Sequence, residues 1–314
     1  MSDISVRTAT LDDTVAITDV HRSAIGRWQR LNERGEVQDV PYEQLTLHER
    51  WLHGGPWMSV ETCAVHLTHL LRGAGIPLVA AIEGRVLAHA EVFHGVEPEP
   101  FGDHLHIAVL AVHADQAGRG LEGALLARIA ALGRELGCAR LCIADAEVGE
   151  FHGGEGWRLL TTGQRVTWRA RTGQGFYQAT PHADDDPGQI RGWMMPLGRV
   201  QSAHQEWVTR WPELWVAVPG LRDQRLERLK FTVGGGSFFV IYAESPYDPR
   251  RASVYAWTPR PPTGPMITAI NDRAHRLGFR RLDTYLIGES AGILGPEAEP
   301  EGYGQELYGL ELES

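Results

Sequence analysis

The chain has 314 residues, 43% hydrophobic and 22% charged, with a formal net charge of −10. This is the composition of a globular protein of one large or two ordinary domains. The negative charge disfavours nucleic-acid binding, which depends on neutralising phosphates, and no apolar run is long enough to cross a bilayer. The three cysteines are too few for a disulfide framework, and the first residues lack the basic and apolar regions of a signal peptide. We therefore expect a cytoplasmic protein without membrane or nucleic-acid partners.

The N-terminal segment predicts a strand, a helix and then a hairpin. Residues 4–8 read as a strand, and residues 11–25 have the pattern of a helix. Residues 78–91 read as two apolar strands joined at Glu83 and Gly84, a pair typical of a tight turn.

The next segment, residues 106–136, predicts a site for a phosphate group. An apolar strand over residues 106–112 leads into a turn that holds Gly118 and Gly120. The helix that follows has apolar residues at helical spacing: Leu121, Leu125, Ile129, Leu132 and Leu136. Glycines allow close approach of a ligand, and the free N–H groups at a helix start attract anions. The segment therefore predicts a cradle for a pyrophosphate.

Two common phosphate-binding motifs fit this segment poorly. A P-loop requires Gly-Lys-Ser/Thr, but the chain has a single lysine, Lys230. Gly118, Gly120 and Gly123 have the spacing of a dinucleotide-binding turn, and Asp145 follows the next apolar run as the acidic residue such a turn requires. A hairpin precedes this strand, however, where that fold has a βαβ series.

The flanks resemble the GCN5-related N-acetyltransferase (GNAT) superfamily. Leu110 and Val112 match the end of the family's strand, and Gly118 and Gly120 match its turn. The helix start Ala124-Leu125-Leu126 and the preceding hairpin also fit. After a further strand at residues 140–144, the sequence from 151 to 157 (Phe-His-Gly-Gly-Glu-Gly-Trp) is similar to the family's Phe-Tyr-x-x-x-Gly-Phe element. The resemblance covers about residues 1–170, and the order of the motifs makes it specific.

The resemblance implies an α/β (α+β mixed-sheet) acetyl-CoA N-acyltransferase-like fold and acetyl-CoA as co-substrate. It places the pantetheine arm and thioester at the strand end and the pyrophosphate at the turn. The residues that it implies in cofactor binding are Leu110, Ala111, Val112, Gln116, Ala117, Gly118, Arg119, Gly120, Leu121 and Gly123. The long segment 45–72, with Trp51 and Trp57, corresponds to the region that shapes the acceptor site.

The resemblance also gives roles to two histidines. His106 lies six residues before Val112, where several members carry the general base, and a histidine accepts protons near pH 7. His152 replaces the tyrosine that protonates the leaving thiolate. The alternatives are that His106 is a residue of a half-buried strand beside His104 and that His152 is a neutral loop residue. The histidines and acids of residues 103–115 match no recognised metal spacing, so we expect no metal.

Two positions depart from the family pattern. Ala117 stands where the family has Arg or Gln, with Gln116 one residue early, and Glu122 replaces a Gly or Ala near the pyrophosphate. Repulsion between like charges at ~4 Å costs on the order of 1 to 4 kcal/mol, depending on the dielectric. Either Gln116 substitutes for the missing residue, or Glu122 turns outward and pairs with Arg119.

The second half predicts a repeat of the same fold after a strand at residues 164–169 and a linker at residues 171–175. Strands are expected at residues 176–181, 231–233, 237–244, 252–258, 281–287 and 306–313, and helices at residues 265–277 and, as two pieces broken by Pro196, at residues 186–211. The turn after Thr258 is rich in proline, which has no N–H to donate. We therefore expect a GNAT-like module at 1–172 and a degenerate one at 176–314. The second half either pairs with the first within one chain or builds a homodimer.

Two functions remain open from the sequence. The first is an acetyl-CoA-dependent N-acetyltransferase that acts on the amine of a small molecule or peptide, with its working site in the N-terminal module. The second is a non-catalytic acyl-CoA-binding or interaction module with a decayed cofactor turn, which Ala117, Glu122 and His152 favour.

Overall fold

The computed structural model describes residues 3–32, 35–145 and 156–313. The chain divides into two compact units. Unit 1 comprises Met1–Phe93, Ile107–Leu136 and Glu213–Asp223, and unit 2 comprises His94–His106, Gly137–Pro212 and Gln224–Ser314. Within the described ranges, no helix is long and apolar enough to span a membrane.

Unit 1 contains a small antiparallel sheet at the N-terminal end of the chain. Strand β1 (Ile4–Thr8) pairs with β4 (Ile76–Ile82), which pairs with β5 (Arg85–Val96); the next strand in the order is β6 (Asp103–Val112). Glu83 and Gly84 both have positive φ, 52° and 79°, as a two-residue hairpin turn requires. The predicted hairpin is therefore confirmed. The short strands β2 (Gln29–Leu31) and β3 (Val37–Asp39) pair only with each other among the described residues.

Four α-helices belong to the described part of unit 1, and polar side chains fix where two of them begin. They are α1 (Thr14–Arg22), α2 (Leu47–Trp51), α3 (Val60–His69) and α4 (Leu121–Glu135). Thr46 and Glu49 form a capping box at α2, and Ser59 accepts the N–H of Thr62 at α3. Residues of α1, α3, β4 and β5 pack into one apolar core, and its buried members are Ala9, Ile17, Cys63, Leu67, Val79, Ala81 and Val86.

Unit 2 is built on a long mixed sheet with two α-helices among its described residues. Its further strands are β7 (Arg140–Asp145), β8 (Arg158–Arg169), β9 (Gln178–Pro181), β10 (Met194–Leu197), β11 (Leu226–Val233), β12 (Gly236–Ser245), β13 (Asp248–Thr258), β14 (Arg281–Ile287) and β15 (Glu299–Glu311). The helices are α5 (Ala203–Arg210) and α6 (Gly264–Arg276). Met266, Ile270 and Ala274 of α6 are buried in the core of this unit, as their spacing predicts.

The strand order of unit 2 mixes the two halves of the sequence. It runs β7-β15-β8-β14-β13-β12-β11-β9, with β10 beside β13. The C-terminal strand β15 thus lies between β7 and β8, and β8 pairs on its other side with β14. The second half therefore pairs with the first within one chain. The compact units cut across the predicted boundary between 172 and 176, so the division at that point stays a prediction.

The prediction of two helices over residues 186–211 was wrong in its first part. Only Ala203–Arg210 forms an α-helix, whereas Met194–Leu197 forms β10. Met194 pairs with Thr258 and Leu197 with Ala256, and the register shifts between them. This irregularity accommodates Pro196, because a proline in a strand is tolerated where a ladder hydrogen bond is already missing.

Leu307 tests the position of β15 between β7 and β8. Its side chain is 1% exposed and packs with Phe101 and Cys142, and its backbone lies opposite Ala144 on one side and Thr161 on the other. Leu307→Ala is expected to lower the free energy of unfolding by about 2–5 kcal/mol through lost burial and a cavity.

Urea unfolding at equilibrium measures this change. Leu159→Ala on the neighbouring strand β8 is the matched control, because Leu159 is 50% exposed and its truncation leaves no cavity. Equal losses in the two variants would contradict the packing described for β15.

Candidate active site

The turn between β6 and α4 has the backbone geometry of an anion site. Gly118 and Gly120 have φ of 76° and 83°, a left-handed conformation that side chains with a Cβ disfavour. The first helical hydrogen bond of α4 runs from the N–H of Ala124 to the carbonyl of Gly120 at 3.0 Å. No described residue accepts the N–H groups of positions 121–123, so they remain free for a ligand.

Contacts to α1 hold the end of β6 in place. The hydroxyl of Ser23 accepts the N–H of Ala114 at 2.9 Å, and Nε2 of His113 lies 3.6 Å from a carboxylate oxygen of Asp19. The N–H of His113 donates to the carbonyl of Leu87 on β5 at 2.9 Å. The turn is therefore anchored to a strand and a helix on its N-terminal side.

The predicted cofactor residues fall into two groups. Leu110, Ala111 and Val112 are half-buried at the end of β6, whereas positions 117–120 are exposed and Leu121 anchors α4 in the core. Gln116 accepts a hydrogen bond from Arg119 at 2.5 Å. The structure thus brings these residues into one continuous strand, turn and helix start, and their role in binding stays a prediction.

Glu122 does not make the ion pair considered from the sequence. Its side chain is exposed in the first turn of α4, and Arg119 contacts Gln116 instead. No ion pair of Glu122 is found within the described ranges. Its negative charge therefore lies in the first turn of α4 without a cationic partner among the described residues, which stabilises the empty helix end and opposes a bound anion.

His106 contacts an amide side chain rather than a carboxylate. Its side chain is 0% exposed, and Nε2 lies 2.7 Å from Oε1 of Gln201. Burial lowers the pKa of His106 to about 3, so the ring is neutral and weakly basic at pH 7. The assignment of His106 as base stays a prediction. His152 and its neighbours at 146–155 lie outside the described residues, so the predicted thiolate acid also stays a prediction.

Unit 1 contains a cluster of ionisable side chains that the sequence patterns did not reveal. The buried carboxylate of Glu91 on β5 accepts hydrogen bonds from Nε1 of Trp57 at 2.8 Å and from Nε2 of His66 at 3.0 Å. Nε2 of His89 lies 3.6 Å from the same carboxylate, and Nδ1 of His89 lies 3.0 Å from Nε2 of His21. The ring of His21 stacks on Trp57 with centroids 4.9 Å apart. His89 thus lies between the buried carboxylate and the half-buried imidazole of His21; its Nε2, 3.6 Å from the carboxylate, is too far away for a hydrogen bond.

The protonation states indicate which member of the cluster can accept a proton. Burial raises the pKa of Glu91, but the neighbouring His66 and the hydrogen bonds it receives lower it to about 2, so the group is a carboxylate. Burial lowers the pKa of His89 to about 4 and that of His21 to about 3, so both rings are neutral. If His89 presents Nε2–H to Glu91, its Nδ1 accepts Nε2–H of His21, and Nδ1 of His21 remains a proton acceptor at the outer end.

A sequence signal for this cluster exists in β5. His89 and Glu91 are two residues apart in a mostly apolar strand, so their side chains share one face. Ionisable residues at buried strand positions need partners, and this pattern marks a candidate site. The partners His21, His66 and Trp57 come from distant segments and follow only from the tertiary structure.

The buried histidines make stability depend on pH. The folded-state pKa values of His21, His89 and His106 lie below about 6.5, the value expected in the unfolded chain, so the unfolded chain binds more protons below that pH. Stability is complete above about pH 6.5 and is lost as the pH falls towards 4. His89→Asn is expected to reduce this dependence between about pH 6 and 5 by about 1 kcal/mol per pH unit.

Urea unfolding across this pH range tests the dependence. Glu91 does not interfere, because its carboxylate is protonated only at lower pH. The partly exposed His275 supplies the control variant, His275→Asn. An unchanged slope in His89→Asn would contradict the neutral, buried state of His89.

Comparisons with known proteins identify the fold. The sequence model of the Acetyltransferase (GNAT) family matches residues 36–152. No curated protein matches the chain. A GCN5-related N-acetyltransferase from Anabaena variabilis ATCC 29413 is similar in structure, with a TM-score of 0.63 at 10% identity over 99% of this chain and 73% of that one.

Two further solved structures give the same result. A GCN5-related N-acetyltransferase from Kribbella flavida has a TM-score of 0.57 at 15% identity, over 99% of this chain and 72% of that one. Eis1 from Mycobacterium abscessus has a TM-score of 0.55 at 13% identity, over 99% and 74%. The chain has the GNAT fold, and the model of the GNAT acetyltransferase family matches its residues 36–152.

Proposed function

We propose that the protein is an acetyl-CoA-dependent N-acetyltransferase whose working site lies in the first half of the chain. The observation that carries this proposal is the start of α4, where two left-handed glycines and free N–H groups follow the turn after β6. The net charge of −10 suits a cationic amine acceptor, either a small molecule or a peptide. Association of two such chains into a homodimer is a further part of this proposal.

Backbone groups perform most of the proposed binding. The N–H groups of 118–123 would receive the pyrophosphate, and the strand end at Leu110, Ala111 and Val112 would hold the pantetheine arm and polarise the thioester. Bound acetyl-CoA supplies an activated acetyl group. The amine nitrogen bonds to the acetyl carbon as the carbon–sulfur bond breaks, the amine loses a proton to a base, and the leaving thiolate gains one from an acid.

For the base we propose Nδ1 of His21, supported through His89 by the carboxylate of Glu91. Proton uptake at His21 moves positive charge towards a buried carboxylate, which stabilises it. Burial lowers the pKa of both His21 and His106 to about 3, so the choice between them rests on their positions. His21 is half-buried and contacts His89, whereas His106, the alternative base from the sequence, is fully buried and contacts Gln201. His152 is kept as the proposed acid.

The second half of the chain is proposed to be unable to bind acetyl-CoA in the same way. Helix α6 begins after Thr263 and has Pro265 in its first turn, and Pro261 and Pro262 precede it. These prolines remove N–H groups where β6 and α4 leave them free. A structural role follows for this half, because β14 and β15 complete the sheet of unit 2.

A non-catalytic acyl-CoA-binding module is the second candidate function. The observation that favours it is Glu122, whose charge at the start of α4 lacks a cationic partner among the described residues. Both functions require the same fold. They differ in cofactor affinity and in turnover.

Gly120 tests the proposed cofactor turn. Gly120→Ala is expected to weaken acetyl-CoA binding at least about tenfold, or about 1.4 kcal/mol, because the added Cβ disfavours the φ of 83° that aims the free N–H groups. Gly137→Ala is the matched control, because Gly137 has φ of 75° at the other end of α4. An added Cβ meets no atom within 4 Å at Gly137 and only Cδ1 of Ile4, at an ordinary contact distance of 3.8 Å, at Gly120.

Calorimetric titration with acetyl-CoA measures both affinities. Equal affinities in the two variants would place the cofactor elsewhere. In the same titration, Glu122→Gln is expected to tighten binding, whereas Glu61→Gln, an exposed acid in the first turn of α3, leaves it unchanged. No binding by the unmodified protein at millimolar acetyl-CoA would refute both candidate functions.

Turnover separates the two proposed bases. His21→Gln is expected to reduce kcat by about 10²–10⁴-fold without changing acetyl-CoA affinity, because it removes the proton acceptor and leaves the turn intact. Release of free CoA thiol is followed against a panel of primary amines and N-terminal peptides. His106→Gln is compared under the same conditions. A loss confined to His106→Gln would transfer the role to His106, and no turnover with any amine would favour the non-catalytic module.

A further inference from the structure

Three side chains with metal-binding atoms meet in unit 2, and neither proposed function uses them. His94 lies near the end of β5, Asp103 is the first residue of β6, and Cys138 follows α4. Nε2 of His94 lies 2.7 Å from Oδ1 of Asp103, and one donor atom of each residue lies within 4.8 Å of the others. A nitrogen, an oxygen and a sulfur donor therefore face a common point.

The backbone fixes this convergence. Gly137, with φ of 75°, ends α4 and turns the chain so that Cys138 comes next. The N–H of Ala139 then donates to the carbonyl of Asp103 at 2.9 Å, which holds the cysteine beside the start of β6. The position of Cys138 beside Asp103 is therefore fixed by the backbone.

In the metal-free protein, Asp103 is the shared acceptor. It accepts a hydrogen bond from His94 and interacts with the thiol of Cys138. Burial and the Asp103 carboxylate raise the pKa of Cys138 to about 11, so the sulfur is protonated. The side chains of His94 and Asp103 are 32% and 39% exposed, whereas Cys138 is buried. The cluster thus opens to solvent on one side, where an ion can enter.

We propose that His94, Asp103 and Cys138 bind a divalent zinc-type cation, with water as the fourth ligand. Zn²⁺ favours four ligands drawn from thiolate, imidazole and carboxylate. The thiolate and the carboxylate together neutralise its charge, and binding releases the thiol proton to solvent. The ion joins the end of β5, the start of β6 and the segment after α4, so its role is structural.

This set differs from the histidines that the sequence brings to attention. His104 lies 3.6 Å from the carboxylate of Glu97, and His106 contacts Gln201. Those rings have other neighbours and do not converge with Asp103 in the described structure. The expectation of no metal rested on sequence spacing, which does not reveal a set drawn from three separate segments.

Metal titration of the full-length, metal-free protein tests the site without any acetyl-transfer assay. Co²⁺ is expected to bind once per chain and give thiolate-to-cobalt charge-transfer absorption, and Zn²⁺ is expected to displace it and raise the unfolding midpoint. Cys138→Ser and His94→Gln are expected to weaken Zn²⁺ binding at least tenfold, measured by competition with a chromogenic chelator. Cys63→Ala, a buried cysteine of unit 1, is expected to bind as the unmodified protein does.

Three results would overturn the proposal. They are the absence of charge-transfer absorption, unchanged Zn²⁺ affinity in both Cys138→Ser and His94→Gln, and an equal loss in Cys63→Ala. The unfolding midpoint of each metal-free variant is measured in parallel. A variant that folds like the parent but no longer gains stability from Zn²⁺ supports the site directly.

Discussion

The position of the C-terminal strand determines how the rest of the protein is built. β15 lies between β7 and β8, and β8 in turn pairs with β14, so neighbouring strands come from opposite halves of the sequence. Each of these pairings satisfies backbone hydrogen bonds that would otherwise be exposed at a sheet edge. The stability of β7 and β8 therefore depends on residues that follow them by more than a hundred positions.

Local patterns in the sequence predict the elements well where one physical signal dominates. The hairpin at Glu83 and Gly84 follows from turn chemistry, and α4 follows from apolar spacing and its preceding glycines. These patterns do not predict β10, because its strand conformation comes from pairing with β13 and its sequence contains Pro196. Local patterns do not predict the strand order either, since they contain no information about which distant strands pair.

The candidate site likewise has one part that local sequence patterns predict and one part that they do not. The cofactor turn is local, so strand, glycines and helix start are visible in consecutive residues. The cluster around Glu91 gathers residues from α1, α3 and a turn, and only its two members on β5 leave a local trace. Two opposing electrostatic features result in unit 1: free N–H groups that attract an anion and, on the same helix turn, the carboxylate of Glu122.

The insertion of β15 between β7 and β8 has a consequence for synthesis on the ribosome. β7 and β8 are translated long before β15, and each lacks its neighbour until residues 299–311 have emerged. Unpaired strand edges recruit other strands, so the nascent first half carries a risk of association that ends only when the last strand inserts. Folding of β7 and β8 therefore waits for residues 299–311, and a chaperone that shields these two strands would act until β15 inserts.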